Sequence, residues 1–238
     1  VTKKSEAMKK IIMFYNYLLF NKTKHLKYGF ATIFVCFMLS SCIKSGYTEA
    51  VVYDSNFASG DTSLLKGAKL WKWNNQILVG RYNKGGFELN LSNLPKHTAI
   101  EITATPYFHD SWDGSTNVGG IDGPDLWQMN VDGQNLVYST FSNSPCNQLY
   151  CLQQSYPLFY GFINNPPMTN AVQTLPGVGH CSGIDVTSVY KIVKTITHTS
   201  GNLKIFFRDY LVQSNVPDQL CDESWSLSGL TIKVINLP

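Results

Sequence analysis

Short runs of alternating apolar and polar residues, broken by turn residues at close spacing, constrain what this chain can fold into more than any other feature. Phe87, Leu89 and Leu91 alternate with Glu88 and Asn90, the period of two that sets one face of a strand against a core. Ile100 and Ile102 repeat the pattern within residues 98–105. In Leu126–Val131, Trp127, Met129 and Val131 share one face, and Gln128 and Asn130 the other. Asp132-Gly133 is a two-residue turn of the favoured hairpin type, with residues 136–141 as its return strand. Residues 76–82 and 87–91 flank an Asn83-Lys84-Gly85-Gly86 loop, and residues 190–197 and 203–210 flank His198 to Asn202. Each of these pairs is expected to form a hairpin, and the last strand is expected over residues 230–235. No amphipathic helix of useful length is visible beyond residue 42. This pattern predicts an all-β chain, an antiparallel β-sandwich of jelly-roll type.

Residues 143–188 break the pattern. They are rich in Pro, Asn, Gln and Gly and hold Cys146, Cys151 and Cys181, with Cys221 following. A loop of that length needs a constraint. An even number of cysteines in an exported chain suggests two disulfides, and three pairings are possible. The favoured pairing closes a small loop through Cys146 and Cys151 and ties the long loop to the C-terminal segment through Cys181 and Cys221. Four free thiols are the alternative; the spacings are not those of paired zinc ligands. One or two short strands are expected within this loop.

The N-terminal part is of another kind. Lys22, Lys24 and Lys27 precede an apolar run over residues 28–38. That run has the ~7–15 residues of a signal-peptide core and falls short of the ~20 needed to span a bilayer. It ends in Leu39-Ser40-Ser41-Cys42, which resembles the lipobox of bacterial lipoproteins. The resemblance implies a diacylglycerol on the Cys42 thiol, cleavage before Cys42, and fatty acids of the palmitate kind holding the protein on a membrane. Two or more acyl chains make such an anchor stable. Ile43, rather than Asp, follows Cys42; in lipoproteins of enteric type this favours the outer membrane of the bacterial cell envelope. An ordinary cleaved signal peptide is the competing interpretation. The expected organisation is a leader over 1–41, a lipidated tether over 42–50 and a single sandwich domain over 51–238.

Removing the leader reverses the charge. Residues 1–41 hold seven Lys and one Glu, so 19 basic and 16 acidic residues become 12 and 15, and a formal charge of +3 becomes −3. The basic balance therefore carries no argument for nucleic acid.

From Leu94 to Val234 the chain resembles an exported β-sandwich module of bacterial surface and multidomain proteins. The landmarks are Leu94-Pro95-x-His97-Thr98, Asp110-Ser111-Trp112-Asp113-Gly114, Gly123-Pro124-Asp125-x-Trp127, Val131-Asp132-Gly133, Thr140-Phe141-Ser142-Asn143, Gln154-Ser155-Tyr156-Pro157, Ser188-Val189-Tyr190 and Asp222-Glu223-Ser224-Trp225-x-Leu227. The resemblance implies a sandwich similar to galactose-binding-like and carbohydrate-binding modules, and no catalytic activity. Modules of this type often end in Leu-Asp-Asn-Val, whose Asp helps to hold a structural Ca²⁺. Here Leu227-Ser228-Gly229-Leu230 stands instead, and Ser228 lacks that carboxylate.

The candidate chemistry is sparse. Asp110, Asp113, Asp122 and Asp125, with Asn117, are candidate Ca²⁺ ligands in a Gly-rich loop; Asx-turns are the simpler role. A glycosidase needs two carboxylates facing one cleft, and adjacent Asp222 and Glu223 point to opposite faces of a strand. His97 and His198 are expected at turns in solvated or turn-bonding roles, and His109 beside Asp110 is a candidate for the metal loop. Sugar rings stack on exposed Trp and Tyr. Trp112, in a polar loop, is a candidate ligand platform or a loop anchor. Trp71 and Trp73 share a face across Lys72 and are further candidates, Trp127 and Trp225 are expected in the core, and Tyr150, Tyr156 and Tyr160 are ambiguous. The expected function is a cell-surface lipoprotein carrying a non-catalytic module for a glycan or another surface component, with no required cofactor. A lipoprotein docking a protein partner and an extracellular glycoside hydrolase are the alternatives.

Overall fold

A computed structural model describes residues 46–116, 123–162, 164–176, 178–179, 181, 186–212 and 216–237. The lipobox with Cys42 lies outside the described residues, as do Asn117, Asp122 and His180. In chain order the strands are β1 (Thr48–Ser55), β2 (Leu65–Lys66), β3 (Leu70–Trp73), β4 (Gln76–Tyr82), β5 (Gly86–Leu91), β6 (Ala99–Asp110), β7 (Leu126–Val131), β8 (Gln134–Thr140), β9 (Gln173–Pro176), β10 (Val186–Val189), β11 (Ile192–Thr197), β12 (Leu203–Asp209) and β13 (Glu223–Asn236). A one-turn helix, α1 (Gln219–Asp222), precedes β13 and is capped by the Asp218 carboxylate, which accepts the Leu220 N–H.

The expected sandwich forms from two antiparallel sheets. The larger runs β3-β4-β13-β6-β10-β9, with β1 also pairing β13 and β11 also pairing β6; the smaller runs β2-β5-β12-β7-β8. Alternation decides which side chains meet between them. Ile100, Ile102, Ala104 and Phe108 of β6 face Trp127, Met129 and Val131 of β7 and Phe207 of β12 in one buried core. Trp127 and Trp225 cross edge-on at 5.7 Å, and Phe108 stacks on Phe141 at 4.0 Å. Such aromatic pairs add about 0.5–1.5 kcal/mol each beyond the area they bury.

Both disulfides follow the favoured pairing, Cys146 with Cys151 and Cys181 with Cys221, and β9 and β10 are the short strands expected in the long loop. The first bridge closes a loop with a sequence separation of only 5, so its chain-entropy contribution is about 2 kcal/mol. Replacing Cys146 and Cys151 together by Ser is expected to lower stability by that amount in a denaturant melt; an unchanged midpoint counts against it.

The β7–β8 hairpin forms at Asp132-Gly133 as expected. The two other expected hairpins do not. β4 belongs to the larger sheet and β5 to the smaller, and β11 and β12 are likewise split, so both turns arch from one sheet to the other. The first arch is held from outside. The Asp209 carboxylate accepts the N–H groups of Lys84 and Gly85 at 2.5 and 3.0 Å, and the Asn83 amide donates to Gln219 O and Glu223 O at 3.2 and 2.9 Å. The domain also begins earlier than expected: Thr48 to Ala50, assigned to the tether from sequence, pair with Asn236 to Val234 in β1.

Of the two roles expected for His97 and His198, solvated or turn-bonding, the structure shows the second. His97 is buried, its ring stacked on His198 at 4.9 Å. Their nitrogens link Pro95 O, His97, His198 and the Asp132 carboxylate in a chain of contacts of 2.6, 2.6 and 3.0 Å. Asp132 also accepts the Lys204 N–H of β12 at 2.9 Å within the smaller sheet, and through His198 and His97 it ties that turn to the segments beside β11 and β6 of the larger.

Candidate functional site

Among the described residues, the outer face of the larger sheet carries the one pair of half-buried tryptophans on a strand. The even positions of β6 face the core, so Thr103, Thr105, Tyr107 and His109 face outward. β3 and β4 flank this face, and their register sets Trp71 opposite Leu78 and Trp73 opposite Gln76. Trp71 and Trp73 are half-buried, with ring centroids 5.9 Å apart and planes inclined by 26°. His109 lies under both, edge-on at 5.3 and 4.8 Å, and Tyr107 meets Trp73 edge-on at 5.9 Å.

The floor of this platform is fixed by hydrogen bonds. His109 is fully buried; its Nδ1 lies 3.1 Å from Thr187 Oγ1 and its Nε2 2.8 Å from Ser226 Oγ. With both ring nitrogens engaged, His109 cannot rotate away from the tryptophans. It thus supports the platform from below. Tyr107 Oη reaches Gln76 Oε1 at 3.5 Å. Arg81 places its guanidinium 5.2 Å from the Trp71 ring centre and donates to Leu220 O. Burial pulls the Arg81 pKa below its ordinary value, while the charges of Asp110 and Asp218 act in the opposite direction. The arrangement offers apolar ring surface beside a guanidinium and an exposed Gln76 amide, the mix that holds the C–H faces and hydroxyls of a sugar.

Trp112 is corrected: it is fully buried. Asp110 ends β6 with a left-handed backbone, φ 68°, which turns the chain inward. The Trp112 indole then donates to Ser224 O at 2.9 Å and packs edge-on to Phe108 at 4.7 Å. No ring face is left for a ligand, and Trp112 is the loop anchor. Trp127 and Trp225 are core residues as expected. Tyr156 is also buried, whereas Tyr150 and Tyr160 are exposed.

The acidic loop is turned inward as well. Asp110, Asp125 and Glu223 each have 1% or less of their surface exposed. Asp125 Oδ2 accepts the backbone N–H groups of Asp113 and Gly114, a turn-capping role. Asp113 Oδ1 accepts the Ser144 hydroxyl at 3.4 Å. Among the described residues no three His, Cys, Asp or Glu side chains are arranged to hold a metal ion; Asn117 and Asp122 of the candidate set lie outside the described residues.

Tyr107, Arg81 and Gln76 were missed from sequence. Tyr107 and His109 continue the outward positions of Thr103 and Thr105, but Pro106 interrupts the pattern between them.

No protein-family model matches this sequence, and no curated protein does. Among solved structures, dimeric latent PorU from Porphyromonas gingivalis is 8% identical, with a TM-score of 0.43, over 80% of this chain and 13% of its own. This chain thus spans a small part of that protein's length. A family 35 carbohydrate binding module from Clostridium thermocellum is 10% identical, with a TM-score of 0.32, over 78% of this chain and 97% of its own. The carbohydrate binding module CBM6cm-2 from Cellvibrio mixtus lichenase 5A, in complex with cellotriose, is 12% identical, with a TM-score of 0.32, over 77% and 97%.

Proposed function

We propose that this chain is a non-catalytic glycan-binding module, displayed on the bacterial cell envelope through lipid on Cys42. The observation that carries the binding role is the pair Trp71 and Trp73, half-buried on an outer sheet face and backed by the locked His109 ring. A tryptophan at the centre of a contact commonly carries 2 kcal/mol or more of binding. Trp71→Ala and Trp73→Ala are each expected to weaken glycan binding by about 30-fold, read by titration against a glycan array hit. Trp112→Ala, which lies in the core, is expected to lower stability instead. Full binding by both platform variants would exclude this face. The lipid anchor is supported by the Leu39-Ser40-Ser41-Cys42 pattern and by two disulfides, which persist in oxidising compartments. Mass spectrometry of the native protein is expected to find acylated Cys42 as the first residue; an unmodified Cys42 within an uncleaved leader overturns the anchor.

The alternative of docking a protein partner is favoured by the exposed apolar residues of the disulfide-tied loop, Leu149 at 92% and Phe162 at 78% exposure. Replacing both by Ser is expected to abolish capture of such a partner and to leave glycan binding intact; unchanged capture would count against this alternative.

A further inference from the structure

We infer that a groove at the fork of the larger sheet is a second contact site on the platform face, so that the module recognises an uncharged, extended glycan chain and not a single terminal sugar. This rests on the aromatic-platform reading above. The fork has a definite origin. One flank of β13 is paired first by β4, as far as Leu227 with Val79, and then by β1, from Leu230 with Ser55 onward. Ser228 and Gly229 fall between and have no register partner on that flank, and β13 also shifts register there against β6. Bulges of this kind re-aim side chains and interrupt pairing. Here the interruption opens a groove of about 390 Å³ lined by Asp54, Ser59, Thr103, Thr105, Gly229 and Thr231, among others.

The groove and the platform are continuous along one strand. Thr103 and Thr105 line the groove, and Tyr107 and His109, the next two outward residues of β6, floor the tryptophans. At about 3.4 Å per residue the path from Thr103 to His109 is roughly 20 Å, several times the width of one sugar ring.

The lining fixes the ligand class. Thr231 Oγ1 donates to Asp54 Oδ1 at 2.6 Å, which leaves the threonine oxygen and the second carboxylate oxygen as acceptors. Hydroxyls both donate and accept, so vicinal sugar hydroxyls match a wall of Ser, Thr and Asp groups. No Lys, Arg or His is among the described residues lining the groove. Asp54 stands there instead, and a uronate or sulfate would meet like charge.

Gly229 supplies the test. A Cβ built on it meets only Ser55 O and Thr105 Oγ1, both at 3.8 Å, ordinary contact distance, so a side chain can start here, and Gly229→Leu is the variant chosen to fill the groove. The full-length protein in detergent is titrated with di- and hexasaccharides of the cello, xylo, laminari and galacto series and with hexagalacturonate. At least one neutral hexasaccharide is expected to bind about tenfold tighter than its disaccharide, and hexagalacturonate more weakly than that hexasaccharide. Gly229→Leu removes the hexasaccharide advantage and leaves disaccharide affinity and the Tm unchanged. Thr105→Val, nearly isosteric, reduces the advantage without filling space. If Gly229→Leu and Thr105→Val both bind the hexasaccharide like wild type, or hexagalacturonate binds as tightly, the groove inference fails while the platform reading stands. Full disaccharide and hexasaccharide binding by Trp73→Ala together with Trp71→Ala overturns the platform reading, and with it this inference. Absence of binding to every neutral series by the wild type overturns both.

Discussion

Asp209→Ala is expected to cost about 4 kcal/mol or more and to lower the Tm by roughly 10 °C or more, at the rate of about 2–4 °C per kcal/mol for a domain of this size. Asp209 is fully buried at the end of β12. Its carboxylate accepts four N–H groups: Lys84 at 2.5 Å, Gly85 at 3.0 Å, Leu211 at 3.3 Å and the Trp225 indole at 2.8 Å. Those donors come from the β4–β5 arch, the segment after β12, and the start of β13, so one side chain clasps both sheets at one end. Ala leaves these donors without an acceptor, and a stranded buried donor costs about 1–3 kcal/mol. Partial relaxation and entering water keep the sum at the low end. Asp209→Asn keeps one acceptor oxygen and is expected to lose less than half as much. Denaturant melts decide the matter: a loss under about 1 kcal/mol for the Ala variant would show that the arch holds without the clasp.

The same clasp explains where the sequence was legible and where it was not. Alternation identified β4, β5, β7 and β12 nearly to the residue, because the period of two is imposed locally by burial of one face. The turn residues at Asn83 to Gly86 and His198 to Asn202 marked reversals correctly. They do not encode which sheet receives the returning strand. That choice is made by Asp209, more than a hundred residues from Lys84, and by the pairing of β11 with β6. Long-range choices of this kind have no local signal.

The candidate site divides the same way. Trp71 and Trp73 were legible because they alternate across Lys72. Tyr107 and His109 were hidden by Pro106, which reads as the end of a strand since it lacks a ladder donor. In the sheet Pro106 sits where the β11 ladder has ended at Ala104 and the β10 ladder begins at Tyr107, so the missing N–H is not called upon there. Trp112 misled for the opposite reason. Its neighbours Asp110, Ser111, Asp113 and Gly114 read as an exposed turn, yet Asp110 and Trp112 are both buried. Nothing in a polar loop sequence announces that a carbonyl of β13, Ser224 O, waits 2.9 Å from the indole.

Stability is expected to fall as pH rises from about 4 to about 8, and Asp125 is the main cause. Burial pushes its pKa up from 3.8 to about 8, with the Asp113 charge adding to the rise; the N–H groups of Asp113 and Gly114 and a hydrogen bond with the Glu223 carboxyl oppose it. The folded protein therefore keeps a proton on Asp125 at pH values where the unfolded chain has lost it. With more protons bound in the folded state, raising the pH favours unfolding. The contribution is fully present below about pH 3.8, the unfolded value, and is lost as the pH passes through about 8, the folded value. At about 1.4 kcal/mol per unit the loss across that window reaches several kcal/mol. Burial raises the pKa of Asp209 too, against the donors that clasp it, so it adds to the same slope. Asp125→Asn preserves an oxygen for the two backbone donors and turns an amide towards Glu223. It carries no titrating proton, so its Tm is expected to vary less with pH and to match or exceed the wild type at pH 8. Melts of both proteins between pH 4 and 9 give the comparison, and a variant with the full wild-type slope would remove Asp125 from the account and leave the remaining buried carboxyls to explain it.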